Sequence, residues 1–399
     1  MKKNTLDIRS YPILIKSIVL VTFARFLTFF LAMVSDFILP YRPSFPYAGL
    51  LENYSLPHWI TAFAGFDGVH YLTIAENGYS FAGLVEAFFP VWPVSLHLAF
   101  KMGNTLGYGL LANFFLMIPL VYFLIHFIKS CYPKINVNRF LLLFLVFPTS
   151  MFFFAMYSET LFMLLIITTF LAAHHKKWWL AALLTIIASA TRIVGVILVP
   201  ALLIELWMQS NQNTALLKIR FTHVQKFVTS KWKEIVLICT GCLGLLAYML
   251  YLQINFGDAL LFKTVQSQWG HDRSDTIILY PQVIYRYIKI MLTSFEFTLG
   301  WWTVAQEMVV GLIAPFLPLL FFRKIRLSHL FFGFCVTIIP TLTGTFSSLP
   351  RYILVAFPIF LGLYYLLEKR PKLFWLWILF STLALICNTI LFVQGYWVA

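Results

Sequence analysis

The sequence predicts an all-α polytopic membrane protein with about 11 transmembrane helices, in a range of roughly 10 to 13, and a long first extracytoplasmic loop. Three observations carry that expectation. The chain is 61% hydrophobic and only 11% charged, with a mean hydropathy of +0.85, whereas a soluble domain carries roughly 25% charged residues. Apolar runs of about 20 residues recur from end to end, which in lipid means helices, because each backbone polar group must be paired within its own segment. The weaker alternation of a transmembrane barrel is absent. Finally, 20 of the 29 Lys and Arg residues fall in six segments, Lys2 to Lys16, Lys129 to Arg139, Lys176 and Lys177, Lys218 to Lys233, Arg323 to Arg326, and Lys369 to Lys372. That is the pattern of positively charged cytoplasmic loops. The net charge of +14 is therefore a matter of orientation, and no nucleic-acid partner is expected.

Residues 1–399 read as a single integral membrane domain. The apolar passage from Tyr11 to Leu39 is longer than the roughly 7 to 15 residues of a signal-peptide core and has no small-residue cleavage site, so it is expected to be a retained helix. The first crossing runs from Ile13 to Leu39, inside to outside, with Arg25 in its middle. Residues 41–89 form the first extracytoplasmic loop, far longer than an ordinary connection and hence a place for binding or catalysis. Pro90 to Lys101 is too short to cross and is read as interfacial or re-entrant. Further crossings follow at Gly107 to Ile128, Leu141 to Phe154, Tyr157 to Ala173, Trp178 to Ala188 and Ile193 to Trp207, several of them short for a bilayer. Lys218 to Lys233 is a basic cytoplasmic linker with the character of a surface helix, and Ile235 to Leu252 crosses next. A second extracytoplasmic loop occupies 255–302, with an amphipathic helix near Ile284 to Phe297. Val304 to Phe322, Leu330 to Phe346, Tyr352 to Leu367 and Leu373 to Val393 complete the topology, with the N-terminus cytoplasmic.

Of the 15 acidic residues, 11 lie on or near the outer side in this topology. Ionisable groups at the outer helix ends are functional candidates by default: Tyr157 and Glu159, Arg192 in SATR, Arg351 and Tyr352 in SSLPRY, and Asp67 in GFDG. Each also has a plain reading. Glu159 and Arg192 would hold helices together as a pair, Arg351 would anchor a helix end, and Asp67 would cap the helix that starts near Gly68. The chemical reading treats Asp67 as a carboxylate of fixed direction, suited to take a proton from a hydroxyl. His70, one turn on, would orient it or bind phosphate, or else be an interfacial histidine. Glu76 and Glu86 either line a sugar site or are ordinary loop glutamates. Arg192, Arg351, Lys263 and Arg273 supply the cations that a phosphate leaving group needs. The aromatic residues at predicted helix ends mostly suit belt anchoring, with Trp59, Trp92, Trp269, Trp301 and Trp302 also suited to sugar or lipid packing. Cys239 and Cys242 read as core thiols in an apolar helix.

Six stretches in order, FDGVHYLTIAENGY, FFPVWP, FPTSMFFFAMYSETLFMLL, SATRIVGVILVP, NFGDALLFKTVQSQW and SSLPRYILVAFPIF, resemble the signatures of PIG-V-like mannosyltransferases, relatives of the second mannosyltransferase of glycosylphosphatidylinositol anchor synthesis. The resemblance spans about residues 18 to 367. It implies a fold similar to the C-type glycosyltransferases, a polyprenyl-phosphate-linked sugar donor, a lipid or glycan acceptor, and a membrane protein partner in at least one relative. It implies that Asp67 is the catalytic base, and that Glu159, Arg192, Gln268, Trp269, Arg351 and Tyr352 shape the donor phosphate and sugar site, to which the reading of the residues themselves adds His70 and Lys263. The chain has a lone Asp67 where several C-type enzymes have a second acidic residue two positions away, so no metal or other cofactor is expected. Phe66 stands where Trp is the commoner family residue.

The implied reaction is an inverting direct displacement on a polyprenyl-phosphate sugar at the extracytoplasmic face of a multi-pass protein of the cell membrane. Two other classes stay open on the residues alone. A lipid or glycolipid transporter would carry an inverted repeat, which is not evident, and a non-catalytic partner of another glycosyltransferase would lack an open cavity at Asp67.

Overall fold

The structure is a computed structural model that describes residues 11–101, 103–210, 221–269, 273–274, 276–293 and 298–398. The basic residues before Tyr11, the start of the Lys218 to Lys233 linker, Asp272, Asp275, Glu296 and the side chain of Trp269 lie outside the described residues.

The helices, in chain order, are α1 (Tyr11–Ser35), α2 (Asp67–Asn77), α3 (Val91–Phe100), α4 (Thr105–Cys131), α5 (Val137–Leu145), α6 (Glu159–His174), α7 (Trp178–Ser189), α8 (Leu198–Ser210), α9 (Phe221–Cys239), α10 (Leu243–Phe256), α11 (Tyr280–Thr293), α12 (Leu299–Ile313), α13 (Leu327–Thr341), α14 (Leu349–Tyr352), α15 (Pro358–Leu367) and α16 (Pro371–Val393). Short 3-10 turns link several of them. The described residues are thus helical with loops.

Six helices among the described residues are long and apolar enough to cross a membrane: Tyr11–Ser35, Thr105–Cys131, Ile193–Ser210, Thr222–Phe256, Leu299–Phe321 and Pro371–Val393. A seventh is added if Leu349–Val355 and Pro358–Leu367, bent by 91°, form one broken span. This is a multi-pass membrane architecture, but it corrects the expected 11 crossings and with them the C-type glycosyltransferase-like fold. The expected crossing at 141–154 is instead α5, of nine residues, followed by a 3-10 turn at Ser150–Phe153. Helices α6, α7 and α13 have 16, 12 and 15 residues, so at about 1.5 Å per residue none reaches the roughly 30 Å of a hydrocarbon core. These segments are apolar because protein surrounds them: Phe162, Met163, Ile166, Ala181 and Phe332 are fully buried. A hydropathy profile scores such a helix like one that faces lipid.

Helix α1 shows the opposite sorting. Its buried stripe holds Ser17, Arg25, Thr28 and Ser35, while Phe23, Phe26 and Phe30 are exposed. Polar inside and apolar outside is the arrangement lipid favours, since side-chain polar groups then find protein partners.

The chain forms two compact units, one of Met1–Val85, Trp92–Ile167 and Leu366–Ala399, the other of Glu86–Val91 and Thr168–Tyr365. In the first, α1 packs on α4 and α16. Asn104 starts α4 by accepting from the Gly107 N–H at 2.7 Å, and α16 donates from Ser381 and Asn388 to the carbonyls of Val146 and Pro148. In the second, the end of α6 and helices α7, α8 and α9 pack around Ala173, Trp178, Ala181, Leu202 and Ile238, and α13 packs on α8. Close approach there depends on Gly244, where a Cβ would lie 2.0 Å from the carbonyl oxygen of Ile186. From Phe221 the basic linker is helical and runs, across non-helical Lys231, into the helix that contains the Thr222–Phe256 span. Cys239 is exposed and Cys242 partly buried, so neither is a core thiol.

Candidate functional site

The predicted site residues gather in two groups, one in each unit. The first is built on the turn before α2. Phe66 has φ 54 and ψ −119, a conformation that a bulky L-residue adopts only at a cost of about 1–3 kcal/mol. Its ring is held by Phe45 at 4.6 Å, and by Phe392 and Trp397 at 5.5 Å. The reversed backbone starts the helix one residue earlier than the sequence suggests, so that Asp67 is the first helical residue and Phe66 occupies the cap position. Asp67 is only partly buried, in a neighbourhood that is otherwise fully buried.

Beside it lies the turn that carries Tyr157, Ser158 and Glu159. Gly68 lets the two segments meet, since a Cβ there would be 3.3 Å from the Met156 Cβ and 3.6 Å from the Tyr157 ring. Tyr157 donates its hydroxyl to the Gly65 carbonyl at 3.0 Å, and the Tyr71 and Ser158 hydroxyls are 3.2 Å apart. Glu159 is buried at the head of α6. The turn is fixed from several sides. Arg25 donates to the Phe154 carbonyl at 2.7 Å with its guanidinium 3.9 Å from the Phe29 ring centre, Asn113 donates to the carbonyls of Ala155 and Tyr157, and the Met156 N–H donates to the Phe63 carbonyl at 2.8 Å. The buried arginine of α1 is thereby explained as a clamp on the Tyr157–Glu159 turn.

His70 is buried, one turn after Asp67, with the Tyr47 ring edge-on at 6.1 Å. Burial pulls the imidazole below its ordinary value, opposed by attraction to the Asp67 carboxylate. A neutral ring beside the carboxylate can orient it without neutralising its charge.

The second group joins two distant stretches. Arg192 follows α7 in an extended conformation. Arg351 lies in α14 and is buried. Their guanidinium carbons stand 5.2 and 5.1 Å from the centre of the same ring, Tyr352, within the range of cation–π attraction. The two guanidinium groups are therefore neighbours across one ring, a pairing of the kind that suits a phosphate.

The turn before Arg351 is held by a buried carboxylate. Glu307 of α12 accepts from the Ser348 N–H at 3.3 Å and from the Tyr287 hydroxyl at 2.7 Å. The Tyr287 hydroxyl also accepts from the Phe346 N–H at 3.1 Å and lies 3.1 Å from the Thr345 hydroxyl. Burial, and then the Glu307 charge, push the Tyr287 phenol up, which keeps it a donor. Ser348 itself is left-handed, with φ 64. The signal for this brace was in the sequence, an acidic residue inside an apolar helix, but its partners were not.

Lys263 and Gln268 are exposed, on a segment where Asp258 accepts from the Leu260 N–H and the Thr264 hydroxyl. Arg273 donates to Gln266 at 2.8 Å. These residues are not drawn into the Tyr352 cluster in the way Arg192 and Arg351 are. Glu86 is buried, and its backbone carbonyl accepts from the Tyr248 hydroxyl at 2.7 Å. Among the described residues no group of three or more His, Cys, Asp or Glu side chains could hold a metal ion. No protein family, curated protein or solved structure matches the chain.

Proposed function

We propose that the protein is a membrane glycosyltransferase that takes a sugar, mannose by its resemblance to the PIG-V-like enzymes, from a polyprenyl-phosphate carrier on the extracytoplasmic side. Asp67 acts as general base. It removes the acceptor hydroxyl proton as that oxygen forms a bond to the sugar C1, the bond from C1 to the phosphate oxygen breaks, and its electron pair leaves on the lipid phosphate. One displacement gives inversion at C1. His70 orients the carboxylate, and guanidinium groups such as those of Arg192 and Arg351 suit the phosphate charge. The N-terminus is cytoplasmic, and no nucleotide-sugar domain is required.

The observation that carries the reading is the meeting of Arg192 and Arg351, 159 positions apart in sequence, on the ring of Tyr352. Two guanidinium groups gathered on one ring suit a phosphate-bearing ligand, which guanidinium groups match better than ammonium groups do. The strained turn that sets Asp67 at the head of α2 is the second support, because such strain collects where a side chain must be aimed. The test is to reconstitute the protein with radiolabelled polyprenyl-phosphate mannose and a panel of glycolipid and glycan acceptors. Label is expected in an acceptor with inverted anomeric configuration. Retention of configuration, or movement of intact donor across the bilayer without transfer, overturns the reading.

A further inference from the structure

Helix α2 has two faces. Asp67, His70, Tyr71 and Ile74 recur at i, i+3, i+4 and i+7, and so do Val69, Leu72, Thr73 and Glu76, two positions further on. Two positions are about 200° of helix rotation, so the second row looks away from the first. That second row forms one wall of a cavity of about 370 Å³ in the first unit, near the lower end of the roughly 300–1,000 Å³ typical of small-molecule sites.

The chemistry of the cavity narrows its ligand. Its polar groups are Asn53, Tyr54, Thr73, Glu76, Asn77 and Asn104, and among the described residues no Lys, Arg or His lines it. An anion such as phosphate therefore has no cation to meet. The one carboxylate, Glu76, accepts from the Tyr54 hydroxyl, and burial together with that bond raises the Tyr54 phenol, so it remains a donor and ties the acid to the wall. A cation gains little from a single carboxylate already bonded in this way. What remains is a set of side-chain amides, those of Asn53 and Asn77 each offering two donors and an acceptor and that of Asn104, whose oxygen caps α4, offering its two donors, beside the ring of Phe81, which is 63% exposed. Alternating donors and acceptors next to an exposed aromatic face suit a ring that carries hydroxyls at its edge and C–H bonds on its face.

The walls are also set by strain. Tyr47 and Ser55, both left-handed with φ 61 and 52, bracket the Ala48–Tyr54 segment that supplies Asn53 and Tyr54. Gly78, with φ 79, ends α2 directly after Asn77. Non-glycine residues in this region are uncommon and cost about 1–3 kcal/mol each, and they persist where the surrounding structure fixes them for a purpose.

We infer that this cavity is a binding site for a neutral saccharide, separate from the Asp67 face of the same helix. The inference does not depend on the reaction proposed for Asp67, because it is a statement about binding. The test uses the full chain in lipid nanodiscs prepared without glycoside detergents, whose sugar headgroups would compete. Methyl α-mannoside, a neutral mannose disaccharide and mannose 6-phosphate are compared by saturation-transfer NMR and by titration. The neutral disaccharide is expected to bind saturably and mannose 6-phosphate at least about tenfold more weakly, the effect of one uncompensated charge or lost contact. Phe81→Ala, a change at an exposed position, is expected to weaken disaccharide binding about tenfold, Glu76→Gln to weaken it as well, and Asp67→Asn to leave it unchanged. Absence of saturable binding by the wild-type protein, preference for the phosphorylated sugar, or loss of binding in Asp67→Asn but not in Phe81→Ala overturns the inference. Saccharide binding without any glycosyl transfer refutes the proposed reaction and leaves this site standing.

Discussion

Replacing Phe66 by alanine and by glycine separates the two things this residue does. Its ring is buried against Phe45, Phe392 and Trp397, and losing a buried phenylalanine ring costs about 3–5 kcal/mol in either variant. Its backbone, at φ 54 and ψ −119, is strained for any residue with a Cβ. Alanine keeps the strain, whereas glycine removes about 1–3 kcal/mol of it and gives back about 0.5–1 kcal/mol through the greater freedom of its unfolded chain. The glycine variant is therefore expected to be about 1 kcal/mol more stable than the alanine variant, a reversal of the usual order within or next to a helix. Membrane proteins often unfold irreversibly, so the comparison is best made as unfolding half-lives at a common temperature in one detergent. If the alanine variant outlives the glycine variant, the strained turn is not what aims Asp67, and the preorganisation argued for the base fails with it.

Glu307→Ala removes the acceptor for Ser348 and Tyr287 and leaves buried donors behind, at an expected cost of about 3 kcal/mol in thermal stability, whereas Glu307→Gln, which keeps one acceptor, is expected to lose about 1 kcal/mol; equal losses would show that the brace is not electrostatic. His70 has a lowered value in the folded protein, so the unfolded chain binds its proton first as pH falls. Stability contributed by the neutral ring is full above the unfolded value of about 6.5 and declines as pH drops through it toward the lower folded value. Wild-type thermal stability is accordingly expected to fall more steeply than that of His70→Gln below about pH 6.5, and parallel curves would refute the assignment. Arg351→Lys retains charge but loses the planar fork and the stacking on Tyr352, so the apparent KM for a polyprenyl-phosphate donor is expected to rise about tenfold; an unchanged KM would remove Arg351 from the phosphate site.

The membrane class of the chain was legible in its composition, and Tyr11–Ser35, Thr105–Cys131 and Pro371–Val393 fall close to where hydropathy put them. Hydropathy failed at α5, α6, α7 and α13, where residues such as Phe144, Phe162, Ala181 and Phe332 are covered by protein and a helix shorter than a bilayer looks the same as one that crosses it. Of the four outer-side cations expected from the sequence, Arg192, Arg351, Lys263 and Arg273, the first two share the ring of Tyr352; both sit at breaks between apolar helices. Lys263 was read as an outer-side cation and Gln268 was taken from the resemblance; both are exposed, with no comparable cluster among the described residues. The left-handed turns at Tyr47, Ser55 and Phe66 had no sequence signal, since only glycine announces such a conformation. Arg25 and Glu307 were visible as charges inside apolar helices, but a single charge does not reveal which carbonyl or N–H it holds.

The central claim is that Asp67 takes the acceptor proton. The most direct measurement compares single-turnover transfer from polyprenyl-phosphate mannose by the wild-type protein and by Asp67→Asn, with donor binding measured on both. The asparagine is nearly isosteric, so donor affinity is expected to stay within about twofold while the transfer rate falls by about 10²–10⁴, the usual worth of a positioned general base. Equal transfer rates in the two proteins would contradict the account.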